Sequence, residues 1–186
     1  MKQKENEVVI LCGGMGSRLS EETIKKPKPM VEIGGEPILI HIMRHYSNFG
    51  YYKFILALGY KSDYIKKYFY DYRITSSDFT TSLIPNSKII FHDNLPAKNW
   101  QISCIDTGLK TLKGGRIKRL EKYIKSEDFL LTYGDGVSDV NISLLMDFHL
   151  KHKSIGTVTC VRPPSRFGEM TIEGDSVKVF DEKAQM

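Results

Sequence analysis

The first apolar segment of this chain, Val8–Leu11, is rich in β-branched residues and runs directly into a glycine-rich loop. Such a short run suits a strand that is buried on both faces of a parallel sheet. Gly13, Gly14 and Gly16 let backbone N–H groups approach a phosphate or a base edge without interference from a Cβ atom. A tight strand-to-helix turn also favours glycine, so the loop alone leaves both interpretations open. Its glycine spacing disfavours a dinucleotide-binding dehydrogenase, and its missing Lys-Ser/Thr ending disfavours a P-loop kinase.

Strand-like and helix-like apolar patterns alternate along most of the chain. The strand candidates are short and bounded by turn residues, whereas residues 37–49 carry apolar side chains at helical spacing and are followed by Gly50. This alternation predicts an α/β, Rossmann-like fold with a mixed, mostly parallel sheet flanked by helices. The predicted strands are residues 8–11, 54–58, 88–91, 129–133, 157–161, 169–172 and 176–180, and the predicted helices are residues 37–49, 63–70, 115–124 and 142–152.

The length, composition and net charge of the chain disfavour several classes of protein. Its 186 residues and 41% hydrophobic content suit one globular domain, and no apolar stretch approaches the roughly 18 residues of a membrane span. The net charge of +5 comes mainly from dispersed lysines and arginines without an aromatic ladder, which favours small phosphate ligands over nucleic acid. The polar N-terminus does not read as a secretory signal. Three widely spaced cysteines, Cys12, Cys104 and Cys160, are expected to be buried and suit a reducing cytoplasm.

Two further segments carry charged residues that suit phosphate chemistry. Lys28 lies between Pro27 and Pro29, and prolines stiffen such a loop and hold the lysine near a fixed position. Asp135 stands between two glycines directly after the predicted strand at residues 129–133. A carboxylate at the C-terminal edge of a strand is well placed to hold Mg²⁺ against phosphates. From the residues alone, a solvated basic loop and a simple turn remain open as alternatives.

Taken together, these segments resemble the nucleoside-diphosphate-sugar pyrophosphorylases, a family of sugar nucleotidyltransferases. The resemblance rests on the loop at residues 11–19, on the Lys-Pro-Met and Gly-Gly-Glu-Pro segments within residues 28–37, and on Tyr-Gly-Asp-Gly at residues 133–136. It is most specific to the cytidylyltransferases of that family over residues 20–35 and 132–139. Two departures are mild, because Ser17 stands where the family usually has Thr and Cys12 where it usually has Ala.

The resemblance implies a role for each matched residue. Arg18 would bind the leaving pyrophosphate, Lys28 would neutralise the α-phosphate or the sugar phosphate, and Asp135 would bind Mg²⁺, so that these three form the catalytic set. The implied nucleotide-binding residues are Leu11, Cys12, Gly13, Gly14, Gly16, Ser17, Arg18, Thr111, Arg116 and Gly134. The implied sugar-phosphate-binding residues are Gly168, Glu182 and Lys183, although the Glu-Lys pair alone would be an ordinary surface pair.

The implied reaction joins CTP and glucose 1-phosphate to give CDP-glucose and pyrophosphate, in a cytoplasmic homo-oligomer that supplies precursors for lipopolysaccharide O-antigen. Two alternatives stay open. One is the same transfer from UTP, dTTP or GTP to a hexose 1-phosphate, and the other is a non-catalytic nucleotide-binding protein of the same fold.

The length of the chain is the main departure from the family pattern. The sequence stops at Met186, whereas the family continues with an Asn-Gly-Gly sugar-binding strand and a second metal-binding aspartate. Neither feature is present in these residues. We therefore expect residues 1–186 to be a single nucleotidyltransferase domain that lacks its C-terminal portion.

Overall fold

The computed structural model describes residues 3–15, 25–92, 99–161 and 169–181. Backbone packing divides the chain into two compact units, Met1–Val140 and Asn141–Met186. The first unit contains the central sheet, and the second contains one described helix and one β-hairpin. None of the described helices is long and apolar enough to cross a lipid bilayer.

The elements of each unit follow in chain order. In the first unit the described strands are β1 (Val8–Leu11), β2 (Glu32–Ile33), β3 (Glu36–Pro37), β4 (Lys53–Leu58), β5 (Phe79–Thr80), β6 (Ile90–Phe91), β7 (Gln101–Asp106) and β8 (Leu130–Tyr133). Its described helices are α1 (Ile38–Ser47), α2 (Ser62–Thr75) and α3 (Lys113–Leu120). The second unit contains α4 (Ile142–His152), β9 (Glu169–Glu173) and β10 (Ser176–Asp181).

The central sheet is parallel, with its four strands in the order β7-β4-β1-β8. The chain moves outward from β1 to β4 and β7, and then returns to the other side of β1. In an open parallel sheet, such a reversal of strand order creates a crevice at the carboxyl ends of the two strands that flank it, and ligands bind there. These two strands end in Leu11 and Tyr133, which are register partners. The residues that follow them therefore lie at the edge where a ligand is expected.

Helices cover both faces of this sheet. Side chains alternate along each strand, so each face of the sheet carries apolar groups that a helix can bury. On one face, Val9, Ile55 and Ala57 form a buried cluster with Leu120 of α3. The opposite face carries Thr132, which hydrogen-bonds with Tyr46 of α1. Three further buried side chains of α1 recur at helical spacing on the same side of that helix as Tyr46: Leu39, Ile42 and Met43. This arrangement confirms the predicted α/β class with a mostly parallel, helix-flanked sheet.

Three details of the predicted secondary structure need correction. Residues 157–161 form no strand. The candidate at residues 88–91 is a strand only at Ile90–Phe91, which pairs antiparallel with Phe79–Thr80 outside the central sheet. The pattern also missed β7, which occupies one edge of the described sheet and is only partly buried. Its sequence, Gln-Ile-Ser-Cys-Ile-Asp, therefore lacks the continuous apolar run by which a fully buried strand is recognised.

The cysteines differ from the expected burial. Cys12 is buried, but Cys104 is half-buried and Cys160 is exposed, so the expectation was wrong for Cys160. All three are free thiols.

The second unit begins and ends its helix with local capping signals. The side-chain oxygen of Asn141 accepts a hydrogen bond from the backbone N–H of Leu144 at 3.1 Å, which satisfies one of the unpaired donors at the start of α4. Lys153 follows the helix in the left-handed conformation, with φ of 51°. β9 and β10 then form an antiparallel hairpin around Gly174, whose φ of 59° suits glycine.

Glu7 ties the start of β1 to the loop before β8. This carboxylate is buried and accepts hydrogen bonds from the backbone N–H groups of Lys125 and Ser126, each at 3.1 Å, and from the Ser126 hydroxyl. Burial alone would raise the pKa of Glu7, but these hydrogen bonds outweigh it and hold the pKa below its ordinary value. The ionised carboxylate therefore stabilises the junction between β1 and β8.

Replacing Glu7 with glutamine should lower the free energy of unfolding by about 2 kcal/mol at neutral pH, because an amide offers one acceptor oxygen to three donors. Since the folded-state pKa lies below the unfolded one, the stabilisation is present above the unfolded pKa and is lost as the pH falls through the folded pKa. Urea unfolding should therefore separate the two proteins at neutral pH, and the difference should shrink as the pH is lowered into the range where carboxylates become protonated. Glu127→Gln, which changes an exposed carboxylate in the same loop, is the control. A constant difference across this pH range would contradict the assignment.

Candidate functional site

The crevice at the carboxyl ends of β1 and β8 holds a cavity of about 380 Å³. It lies entirely within the first unit, at the position that the strand order indicates for a ligand. Four segments that are distant in sequence build its wall. The lining residues are Leu11, Cys12, Gly13, Gly14, Lys28, Pro29, Thr111, Leu112, Lys113, Arg116, Tyr133 and Asp135.

The glycine turn after β1 is held in place from both sides. The backbone N–H of Cys12 donates to the carbonyl of Ala57 at 3.0 Å, and the N–H of Tyr60 donates to the carbonyl of Gly13 at 3.3 Å. A Cβ atom at Gly13 would overlap the guanidinium group of Arg116. Glycine is therefore required at this position because another side chain packs directly against its backbone.

Cys12 forms part of the floor of the cavity. Its side chain is almost fully buried, and burial raises the pKa of its thiol well above the ordinary value, with nearby Cys104 and Asp135 adding to the effect. A Cβ atom at Gly134 would approach the Cys12 sulfur to 2.8 Å. The thiol thus acts as a small apolar side chain, and Gly134 allows β8 to continue close beside it.

Lys28 projects from a short 3₁₀ turn, Lys28–Met30, whose other side chains are buried. Pro29 and Met30 anchor this turn in the core, and the backbone N–H of Met30 donates to the carbonyl of Pro27 at 2.8 Å. The lysine therefore enters the cavity from a fixed backbone position, as the flanking prolines suggest.

Asp135 meets Lys28 across the cavity. The Nζ atom of Lys28 lies 2.5 Å from Oδ2 of Asp135, although the two residues are 107 positions apart in the chain. Each side chain is about one-third exposed, at 30% and 34%, so both remain accessible to a ligand. The backbone N–H of Gly134 donates to the carbonyl of Leu11 at 3.1 Å and extends the β1–β8 ladder up to Asp135. The sheet thereby fixes the carboxylate beside the glycine turn.

Arg116 is the buried cation of this site, with only 5% of its surface exposed. Its guanidinium donates to the carbonyls of Leu58 and Gly13, each at 2.9 Å, to the hydroxyl of Thr107 at 2.7 Å, and to the carbonyl of Leu109 at 3.2 Å. Burial lowers the pKa of the guanidinium from its ordinary value, and Asp106 partly opposes that effect. Arg116 thus connects α3 to the ends of β4 and β7 and to the glycine turn.

The structure brings together most of the sequence-derived site residues that it describes. Leu11, Cys12, Gly13 and Gly14 line the cavity with Lys28, Thr111, Arg116 and Asp135, and Gly134 lies directly beneath. The hydroxyl of Thr111 accepts a hydrogen bond from Arg119 at 2.8 Å. Six residues implied by the resemblance lie outside the described part of the chain: Gly16, Ser17, Arg18, Gly168, Glu182 and Lys183. Their roles stay predictions.

Besides Pro29, three side chains that line the cavity were not predicted as site residues: Leu112, Lys113 and Tyr133. Leu112 and Lys113 open the segment that carries Arg116, and Tyr133 is the last residue of β8. A signal was available for two of them, because Lys113 directly precedes Gly114 and Gly115 and Tyr133 directly precedes Gly134 and Asp135. Leu112 and Tyr133 are apolar surfaces left exposed at 83% and 51%, which a bound ligand could cover.

A second cavity, of about 210 Å³, lies between α1 and the loop after β8. Its lining includes His41 and His45, and the Nε2 atom of each ring contacts a backbone carbonyl, at 2.9 Å from Ile33 and at 2.8 Å from Val140. Within the described ranges, no cluster of three or more His, Cys, Asp or Glu side chains could hold a metal ion. The chemistry-bearing groups therefore concentrate in the larger cavity.

Comparison with protein families and curated sequences gives consistent matches. The family model described as nucleotidyl transferase matches residues 7–185. The chain is 47% identical over 178 residues to the glucose-1-phosphate cytidylyltransferase of Salmonella typhi, and the match covers 95% of this chain and 68% of that protein. It is 42% identical over 177 residues to the probable glucose-1-phosphate cytidylyltransferase of Bacillus subtilis (strain 168), with the same two shares.

Solved structures share the fold. HddC from Yersinia pseudotuberculosis, complexed with GMP-PN, is 25% identical and matches with a TM-score of 0.57, covering 97% of this chain and 71% of that one. UDP-glucose pyrophosphorylase complexed with UDP-glucose also matches with a TM-score of 0.57, at 18% identity, covering 98% of this chain and 70% of that one. The second likeness, at its low identity, concerns the fold alone.

Proposed function

The chain belongs to the nucleotidyl transferase family, and from that premise we propose that it is a glucose-1-phosphate cytidylyltransferase, which joins CTP and glucose 1-phosphate to give CDP-glucose and pyrophosphate. The observation that carries nucleotidyl transfer is the meeting of Lys28 and Asp135 beside the glycine turn, at the switch point of the sheet. The choice of CTP and glucose 1-phosphate is supported by the relatives that are 47% and 42% identical.

The cavity suits a reaction between two anions. A phosphate oxygen of glucose 1-phosphate attacks the α-phosphorus of CTP, in line with the departing pyrophosphate, so the protein need supply no covalent nucleophile. Its contribution is to align two groups that repel each other and to stabilise the charge of the transferring phosphoryl group. Lys28 is the described side chain best placed to neutralise that charge, because it enters the cavity from an anchored turn.

The glycine turn would hold the nucleoside end of CTP. Gly14 is exposed at the cavity wall, and the space where its Cβ atom would stand is open to a base or ribose. Arg116 fixes the Gly13 carbonyl from behind. Thr111 also lines the cavity and offers a hydroxyl there. We therefore place the cytosine between the glycine turn and the start of α3.

Asp135 is the residue that would hold Mg²⁺. Mg²⁺ usually binds proteins through one or two carboxylates and keeps its remaining positions for waters and substrate phosphates. A single accessible carboxylate beside a phosphate-binding lysine fits that pattern. When bound, the ion would neutralise negative charge on the phosphates. The sugar-phosphate side of the site, assigned to Gly168, Glu182 and Lys183, remains part of the proposal, together with the pyrophosphate-binding role of Arg18.

The cellular setting is also a proposal. Free thiols at all three cysteines are compatible with a reducing cytoplasm, where CTP is available. The homo-oligomeric state and the supply of precursors for O-antigen rest on the family resemblance alone.

The proposal is tested by pyrophosphate release with glucose 1-phosphate and each of CTP, UTP, dTTP and GTP. We expect CTP to give the highest kcat/KM of the four. A preference for UTP, dTTP or GTP would replace the cytidylyl assignment with another nucleotidyl transfer. Binding of CTP without any release of pyrophosphate would instead indicate a non-catalytic nucleotide-binding protein.

A further inference from the structure

Lys113 occupies an unusual position in the cavity wall. It is the first residue of α3, and its Nζ atom lies 5.2 Å from the centre of the Tyr133 ring at the end of β8. Both side chains line the cavity. α3 packs over β1 and β4, since Leu120 contacts Val9 and Ile55 and Arg116 bonds to the end of β4. β8 lies on the other side of β1. The contact between Lys113 and Tyr133 therefore spans the crevice above the end of β1.

The other described cations of the cavity already have oxygen partners. Lys28 is paired with Asp135, and the guanidinium of Arg116 donates to three carbonyls and one hydroxyl. Lys113, by contrast, has an aromatic face as its partner within the described residues. A cation over an exposed tyrosine ring is held less strongly than a cation in a charge-assisted hydrogen bond. An incoming anion can therefore draw the Lys113 ammonium away from the ring.

We propose that Lys113 is a nucleotide-binding residue whose ammonium group leaves the Tyr133 ring to contact a phosphate of the bound nucleoside triphosphate. This inference rests on the proposed function and extends it to a residue that the family resemblance did not assign. A nucleotide whose base lies by Thr111 and whose phosphates lie by Asp135 would cross the crevice that the Lys113–Tyr133 contact spans. Lys113 thus distinguishes triphosphates from uncharged nucleosides, and the exposed Tyr133 ring holds the lysine over the crevice until the ligand arrives.

Equilibrium binding to wild type and Lys113→Met tests the assignment, with CTP, UTP, cytidine, uridine and inorganic tripolyphosphate as probes. Lys122→Met is a matched control, because Lys122 also lies over a tyrosine ring, 5.0 Å from the centre of Tyr123, but does not line the cavity. We expect Lys113→Met to weaken binding of the triphosphates and of tripolyphosphate by about tenfold, to leave nucleoside binding unchanged, and to flatten the salt dependence of triphosphate binding. Lys113→Arg should restore most of the affinity.

Each other outcome overturns the inference. An equal loss for nucleosides and triphosphates would mean that Lys113 shapes the base pocket, and no loss at all would make it a surface lysine. Tripolyphosphate and ligands of two different bases are included so that the effect of Lys113 can still be measured if CTP is not the true substrate. A wild-type protein that bound none of the phosphate probes would overturn both the inference and the proposed function.

Discussion

Replacing Asp135 with alanine is expected to lower kcat/KM for CDP-glucose formation by roughly 100- to 1000-fold, which corresponds to about 3–4 kcal/mol of lost transition-state stabilisation. The carboxylate is the group that would hold Mg²⁺, and it is also the partner of Lys28 at 2.5 Å. Its removal would eliminate the metal site and leave Lys28 free to move from its present position. Steady-state pyrophosphate release with CTP and glucose 1-phosphate measures the loss.

Two controls make this prediction specific. Asp139→Ala removes an exposed carboxylate four residues later in the same loop and should leave kcat/KM nearly unchanged. Urea unfolding of Asp135→Ala should stay close to that of wild type, because a one-third exposed ion pair contributes little to stability. If Asp135→Ala retained more than about a tenth of the wild-type kcat/KM, a loss below ~1.4 kcal/mol, its catalytic role would be wrong.

Replacing Arg116 with methionine is expected to lower the free energy of unfolding by about 3 kcal/mol or more. Four oxygen acceptors would each lose a charged donor, and three of these four hydrogen bonds lie in buried surroundings. The Leu58 carbonyl keeps donors from Thr107 and the Gly13 carbonyl keeps the N–H of Tyr60, but a hydrogen bond from a charged group contributes about 1.5–3 kcal/mol. The glycine turn would also lose one of the two donors that hold the Gly13 carbonyl, so CTP binding should weaken. Urea unfolding and CTP binding are measured on the same variant.

Measuring both unfolding and CTP binding distinguishes a structural role of Arg116, in holding the glycine turn, from a direct role in binding the ligand. Lys118→Met is the control, since Lys118 is an exposed cation of the same helix whose partner, Glu121, is also exposed. If Arg116→Met lost CTP binding but kept wild-type stability, Arg116 would act on the ligand and not on the turn. If it lost stability but bound CTP with unchanged affinity, the glycine turn would not depend on Arg116.

Secondary structure was predicted best in segments where a single physical requirement, such as burial or helical spacing of apolar residues, determines the residue types. Residues 8–11 are a continuous apolar run because β1 lies between two neighbouring strands and is buried, and this strand was predicted with its observed bounds. Residues 129–133 were also predicted within one residue, although β8 is an edge of the described sheet and its Leu131 and Tyr133 are exposed. α4 was predicted with its observed bounds because its apolar residues recur at helical spacing, and the Asn141 cap that the structure shows at its start was not part of that prediction. Edge strand β7 lacks such a requirement, since its partly buried side chains include polar ones.

Two kinds of site residue could be predicted from the sequence: glycines that expose the backbone, and charged residues that directly neighbour a glycine or proline. Lys28 and Asp135 are marked by their neighbours, and the sheet brings them together as expected. The contact between Lys113 and Tyr133 was not predictable, because it joins the start of a helix to the end of a distant strand across the crevice. The burial of Arg116 could likewise not be predicted from the sequence, since its partners include backbone carbonyls whose positions depend on the whole fold.

The most direct test of the account is a crystal structure of the protein with CTP, Mg²⁺ and a non-reactive analogue of glucose 1-phosphate. We predict that the nucleotide fills the cavity at the ends of β1 and β8, with cytosine between the glycine turn and α3, the phosphates beside Lys28, and the metal on Asp135. Nucleotide density in the cavity between α1 and the loop after β8, or elsewhere on the surface, with Lys28 and Asp135 still paired to each other, would contradict it.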